Sequence, residues 1–209
     1  MVGLLSSHIS KLGGYRIPSF NLPSKRTCPG RTEQCVKYCY ATKGHFLYEG
    51  TMNKYERNLI ASKQDDFVEK FTNELYLTNI FIRIHSSGDF YNQEYFDKIC
   101  QVARKRPDTK FLAYTRNYRI NIKNAPRNLI LFYTVDNSTK TINPDAKHYA
   151  FVEHFDVIPE HGSNYKNGII CTSKDCSSCL KCWNKPTNVY FPQKYKKYSE
   201  RLLDLYVNS

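Results

Sequence analysis

Seven of the eight cysteines fall into two short windows, three between Cys28 and Cys39 and four between Cys171 and Cys182. No other feature limits the fold as tightly, because thiols spaced this way act together only if the backbone turns them toward a common centre. In Thr27-Cys28-Pro29-Gly30-Arg31-Thr32-Glu33-Gln34-Cys35-Val36-Lys37-Tyr38-Cys39, a helix starting after Thr32 would set Cys35 and Cys39 on one face. The Pro29-Gly30 turn would fold Cys28 back toward them. Three thiolates meeting at one point leave one position of a tetrahedral ion or a cubane cluster open to a substrate, a water or a remote fourth ligand.

The second window, Cys171-Thr-Ser-Lys-Asp-Cys176-Ser-Ser-Cys179-Leu-Lys-Cys182-Trp183, wraps four sulfurs through very short loops. Thiolate-rich sites suit structural zinc and iron–sulfur clusters alike. Zinc ribbons usually pair two C-x-x-C units across a spacer of about a dozen residues or more. The unbroken run Cys176, Cys179, Cys182 is closer to a ferredoxin-type loop. The reading is therefore one or two [4Fe–4S] clusters, with zinc as the alternative. Cys28, Cys35 and Cys39 form one ligand set and Cys171, Cys176, Cys179 and Cys182 the other, unless one downstream cysteine completes the upstream set. His45 is the nearest other donor in sequence to the first set. Cys100 sits in an apolar helical stripe and reads as a small buried hydrophobe.

The chain has 209 residues, enough for one domain spanning 1–209, and its 41% apolar content argues against wholesale disorder. No apolar run approaches the length of a membrane span, and residues 1–11 lack the apolar core of a signal peptide. A cytoplasmic protein without a membrane partner is expected, in the host cytoplasm if the gene is viral. In that reducing compartment clustered cysteines more often bind metal than pair as disulfides. The net charge of +12 favours polyanionic partners, nucleic acid first, although basic residues this dispersed also serve solubility.

Periodicity predicts an α/β fold: an incomplete TIM-like barrel or an open, curved, mostly parallel sheet carrying the cysteine-rich loops. Strands are expected at 15–22, 80–85, 110–115, 129–135, 149–152 and 168–171, with a short 189–191 run. Helices are expected at 48–62, at 65–77 capped by Asp65, and at 92–105. The strand at 80–85, the helix at 92–105 and the strand at 110–115 form a parallel crossover unit. A closing segment, 188–209, holds a predicted helix at 193–207. Its Tyr195, Tyr198, Leu202, Leu205 and Tyr206 suit packing, while Lys194, Lys196 and Lys197 interleaved with tyrosine suit single-stranded nucleic acid.

In parallel α/β sheets, functional groups collect past the carboxyl ends of strands. Those positions give His85, Ser87, Gly88 and Asp89 after one strand, Thr115 and Arg116 after the next, Asp136 after the third, and Glu153 with His154 after the fourth. His85, Asp89 and Arg116 are the candidate catalytic groups, and Ser87, Gly88, Asp136 and Glu153 the candidate cofactor-binding ones. Gly88 allows close backbone approach to a ligand. Each residue also has a structural reading: Asp89 as a turn cap, His85 as a buried imidazole, Arg116 as a partner of Asp136 rather than a clamp on a carboxylate or phosphate. His8, His148 and His161 read as surface loop residues.

Thr27-Cys-Pro-Gly-x-Thr-x-x-Cys35-x-x-x-Cys39-Tyr-Ala41, Arg83-Ile-His-x-Ser-Gly-Asp-Phe90-Tyr, Phe111-x-Ala-Tyr-Thr-Arg116 and Cys179-x-x-Cys182-Trp, in that order, resemble the gene product 88 domain proteins of bacteriophages over about residues 11–184. The resemblance implies a viral or mobile-element origin and a cysteine-rich metal or iron–sulfur site. More distantly, a cysteine triad after a first strand is similar to the radical S-adenosylmethionine enzymes, in which three cysteines hold a [4Fe–4S] cluster whose open iron binds that cofactor. Here six and three residues separate the cysteines where that superfamily has three and two. Together these readings lead to a redox or radical-type enzyme acting on a small molecule or nucleotide. The alternative is a zinc-stabilised nucleic-acid-binding protein without catalysis.

Overall fold

The computed structural model describes residues 3–7, 9–152 and 168–191. Its centre is an eight-stranded sheet built from β1 (Leu5–Ser6), β2 (Ser19–Phe20), β3 (Phe81–Ile84), β4 (Lys110–Thr115), β5 (Leu129–Val135), β6 (His148–Val152), β7 (Gly168–Ile170) and β8 (Asn188–Phe191). The spatial order is β1-β2-β3-β4-β5-β6-β8-β7. Only the β1–β2 pair is antiparallel. The sheet is thus open and mostly parallel, and among the described residues its two edge strands do not pair to close a barrel.

The sequence accounts for most of this. In β3 and β4 alternate residues face opposite sides, as strand geometry requires. Ile82, Ile84, Phe111 and Ala113 join the core formed with α3 (Phe67–Glu74) and α4 (Gln93–Lys105), while Leu112, Phe132, Ala150 and Val189 pack with Trp183 on the other face. Asn92 caps α4, its side chain accepting from the Tyr95 amide at 2.9 Å. The Lys98 ammonium donates to the carbonyls of Ser62, Lys63 and Gln64, satisfying the end of α2 (Glu49–Ser62). Phe20, Phe67, Phe71 and Tyr95 meet as a ring cluster beneath β2.

Several expectations shift. The predicted strand at 15–22 contracts to Ser19–Phe20, with Pro18 just outside it, and Leu5–Ser6 supplies an unforeseen antiparallel edge. The helix expected at 65–77 spans only 67–74; Asp66 rather than Asp65 stands at its N-cap, without a side-chain bond. His148 lies in β6, against the Phe132 ring, not in a loop. β8 inserts between β6 and β7, so the last strands do not follow chain order. Cys100 is buried in α4, as its apolar stripe implied. His8, Glu153, His154, His161 and the predicted helix at 193–207 lie outside the described residues. Among the described residues no helix is long and apolar enough to cross a membrane.

Candidate functional site

Because β2 to β6 run parallel, the segments leaving them emerge at one edge. The first cysteine window leaves β2 and lies across the ends of β3, β4 and β5. Three contacts fix it there. The Thr32 hydroxyl caps α1 (Glu33–Lys37), accepting from the Cys35 amide at 3.0 Å, and donates to Asp136 Oδ2 at 2.6 Å. Arg116 Nη1 reaches the same Oδ2 at 2.6 Å, so one carboxylate joins the cap of the cysteine helix to the end of β4. Gly30 passes so close to β4 that a Cβ on it would stand 1.9 Å from the Arg116 carbonyl oxygen. Gly30→Ala is accordingly expected to cost about 1–3 kcal/mol, as overpacking does. The check is chemical denaturation together with faster thiol labelling of Cys28 and Cys35.

Helix α1 ends at Lys37, so Cys39 does not share its face with Cys35; it opens the following turn at 40–42. The sulfurs nevertheless remain neighbours, since Cys28 feels the charges of Cys35 and Cys39. Burial, the Asp89 carboxylate and these neighbouring thiols push the Cys28 thiol up to about 12, and burial also raises Cys35. A thiol held protonated by burial and by nearby sulfur suits a thiophilic cation, which offsets both effects when it binds and releases the protons.

In the second window Cys171 follows β7, its amide bonded to the Tyr190 carbonyl at 2.8 Å. Asp175 caps α5 (Cys176–Cys179), and Leu180, left-handed at φ 51°, turns the chain into α6 (Lys181–Asn184). Cys176 senses Cys171 and Cys182, and Cys182 senses Cys171 and Cys179. Cys28, Cys35 and Cys39 thus lie near one another, as do Cys171, Cys176, Cys179 and Cys182, and all eight cysteines are free thiols. Convergence on a single point is not seen: among the described residues no three His, Cys, Asp or Glu side chains are gathered as around one ion.

The polar residues at the strand ends mostly hold this framework together. Asp89 accepts from Thr115 Oγ1 at 2.6 Å, the Phe90 amide at 2.7 Å and the Arg116 amide at 2.8 Å. The Ser87 hydroxyl donates to the Leu22 carbonyl at 2.9 Å. Gly88, at φ 84°, lies where a Cβ would be 2.6 Å from Leu22, so its freedom serves packing rather than a ligand. Asp136 also accepts from the Ser138 amide and the Thr139 hydroxyl. His85 is placed away from the mouth: its ring is buried between Phe90 and Tyr95, with Nε2 2.8 Å from the Tyr95 hydroxyl and Nδ1 unpartnered.

His85 and Asp89 titrate in opposite senses. Burial, aided by Arg83, lowers His85 to about 3, and burial raises Asp89 to about 6 despite its three donors. The stability from a neutral His85 is complete above its unfolded value of 6.5 and is lost as pH falls toward 3. That from Asp89 is complete below 3.8 and is lost as pH rises through 6. Between pH 4 and 6 the unfolded chain carries a proton on His85 and the native chain carries one on Asp89, so the two slopes cancel. His85→Asn, which tolerates the left-handed backbone found there (φ 62°), is expected to expose the Asp89 slope. Stability should then fall by close to tenfold in the folding constant per pH unit as pH rises from 4 to 6, read by urea denaturation. A slope matching the parent protein would refute the assignment.

Arg83 and Tyr114, which the sequence offered only as members of motifs, lie beside the second thiol set, and Arg83 also acts on Tyr40 next to the first. Arg83 projects from β3 with its guanidinium carbon 4.1 Å from the centre of the Tyr114 ring, and its Nε donates to the His85 carbonyl. The Tyr114 hydroxyl reaches Cys182 Sγ at 3.4 Å, while Tyr40, one residue past Cys39, donates to the Ser86 carbonyl at 2.7 Å. A single cation interrupting the apolar run Ile80-Phe-Ile-Arg-Ile84 was the available signal for Arg83. Beside the first window, a cleft of about 500 Å³ is bounded by Gly30, Thr32, Arg116, Tyr118, Tyr133 and Lys140, among others.

A family profile described as "Gene product 88" matches residues 4–198. The "Gene 88 protein" of Mycobacterium phage L5 is 29% identical over 126 residues, covering 52% of this chain and 53% of that relative. The chain thus spans about half the length of the curated relative it matches. No solved structure matches.

Proposed function

The chain belongs to the gene product 88 family, and from that premise we propose that it is a virus-encoded iron–sulfur protein with one exposed cluster iron, acting in a redox or radical-type reaction. What supports this reading is the electrostatic proximity of the free cysteines within each of two windows, one at the sheet's carboxyl edge and one on the face beside it. The donor chemistry suits a thiophilic group. In a cubane each thiolate binds a different iron, so its ligands stand further apart than the four sulfurs of a zinc site. Sulfurs that sense one another without surrounding one point are compatible with that arrangement.

Cys28, Cys35 and Cys39 would hold the cluster with the open iron, and Cys171, Cys176, Cys179 and Cys182 a second one. A three-thiolate cluster supplies one-electron chemistry and a free coordination site. The chain's own groups do the positioning: Thr32, Arg116 and Asp136 fix the first loop, and Asp89 holds the end of β4. Curvature of the sheet as an incomplete barrel would turn these ends toward a shared mouth. A small molecule or nucleotide would enter through the cleft beside Gly30 and Lys140. S-adenosylmethionine as ligand rests on the triad's place after the first parallel strand, not on its spacing.

The test is anaerobic purification with iron and sulfide analysis, followed by electron paramagnetic resonance of the reduced protein with and without S-adenosylmethionine. Iron with matching sulfide supports the reading. Colourless protein with stoichiometric zinc overturns it, and a resonance indifferent to S-adenosylmethionine removes that cofactor alone.

A further inference from the structure

We propose that Arg83 is the anchor of an oxyanion site, for a phosphate or a carboxylate, in the space between the two cysteine sets. Arg83 sits in the middle of β3 and is half-buried. A guanidinium so placed costs desolvation unless an anion answers its charge. Among the described residues, none of the ion pairs involves it. Among the described residues the one hydrogen bond of its side chain runs from Nε to the His85 carbonyl at 3.1 Å, with no partner there for either Nη group. Neither Nη is sealed from solvent; the buried unpartnered side-chain atoms among the described residues are Gln34 Nε2 and His85 Nδ1.

The fork is also held in a fixed orientation. Tyr114 supports its face at 4.1 Å and is itself stacked on Phe132 at 5.1 Å. With Nε engaged, the Nη1–Nη2 edge of this rigid guanidinium stays free, and such an edge binds carboxylate or phosphate in a bidentate manner. Its surroundings place the site chemically: Arg83 acts electrostatically on Tyr40 beside the first set and on Cys176 and Cys182 of the second. An anion bound there would present the rest of its molecule to one set or the other. The iron–sulfur reading enters only in what would then happen to that molecule; the anion site stands without it.

Trp183, the single tryptophan, packs on Phe81, two residues before Arg83, with ring centroids 6.1 Å apart, and so provides a local reporter. The purified 209-residue protein would be titrated with inorganic phosphate and, separately, with acetate, reading Trp183 fluorescence and thermal midpoint. A saturable response to at least one of them is expected, and which one saturates identifies the oxyanion. Arg83→Lys, which keeps the charge but loses the fork, is expected to weaken the response about tenfold or more, and Arg83→Gln to abolish it, with iron content unchanged in both. An absent response in the parent, or an equal one in Arg83→Gln, overturns the proposal. So does loss of iron in Arg83→Gln, which would make Arg83 a counter-charge for the thiolates. Protein isolated without iron would defeat the cluster reading yet leave the anion titration fully readable.

Discussion

Asp136→Ala is expected to destabilise the protein by about 3–5 kcal/mol, because it strands the Arg116 guanidinium without its partner in a nearly closed site. The Asp136 side chain is 1% exposed and that of Arg116 13%. The lost carboxylate also holds the Thr32 hydroxyl, the Ser138 amide and the Thr139 hydroxyl, so the cap of the first cysteine helix and the turn after β5 loosen together. Removing both charges in Asp136→Ala/Arg116→Met should cost less than Asp136→Ala alone, since no orphaned ion remains. Denaturant midpoints measure the energy, and the labelling rates of Cys28 and Cys35 show whether the loop is what comes free. An Asp136→Ala midpoint within experimental error of the parent would show that the pair contributes nothing net.

The second large effect concerns the proposed iron, where the purified protein carries it. Replacing Cys28, Cys35 and Cys39 together by serine is expected to remove about half of it, and replacing Cys176, Cys179 and Cys182 the other half, if each set holds its own cluster. The electrostatic neighbourhoods support this division, since Cys28 couples to Cys35 and Cys39 while Cys182 couples to Cys171 and Cys179. Only the first replacement should abolish any signal that responds to an added iron ligand. If either triple variant loses all the iron, the two windows serve one centre. If neither loses any, the cysteines are not ligands.

Most of the architecture was legible because local periodicity and global burial agree. β3, α4, β4 and β5 fall where alternation and the Asn92 cap put them, each side chain pattern having a buried face to match. The two cysteine windows themselves are plain in the sequence, and short loops cannot carry the sulfurs of one window far apart. The helix expected to carry both Cys35 and Cys39 failed because α1 stops at Lys37. Of the two readings open for His85, the buried imidazole is the one the structure shows: its left-handed backbone takes it out of strand alternation, and its ring ends in the aromatic core.

The sequence by itself determined which residues are chemically equipped to act, seven thiols in two windows and a row of polar groups past predicted strand ends, since composition and spacing are properties of the chain. Only the tertiary structure decided what each group faces. It committed Ser87, Gly88 and Asp136 to fastening the first loop and Asp89 to holding the end of β4, inserted β8 between β6 and β7, and left Arg83 without an ion pair among the described residues. Those outcomes depend on contacts between segments more than a hundred residues apart, such as Thr32 with Asp136 (104 residues) and Trp183 with Ile82 (101 residues). No local pattern encodes such contacts, because they form only when the sheet brings its strand ends side by side.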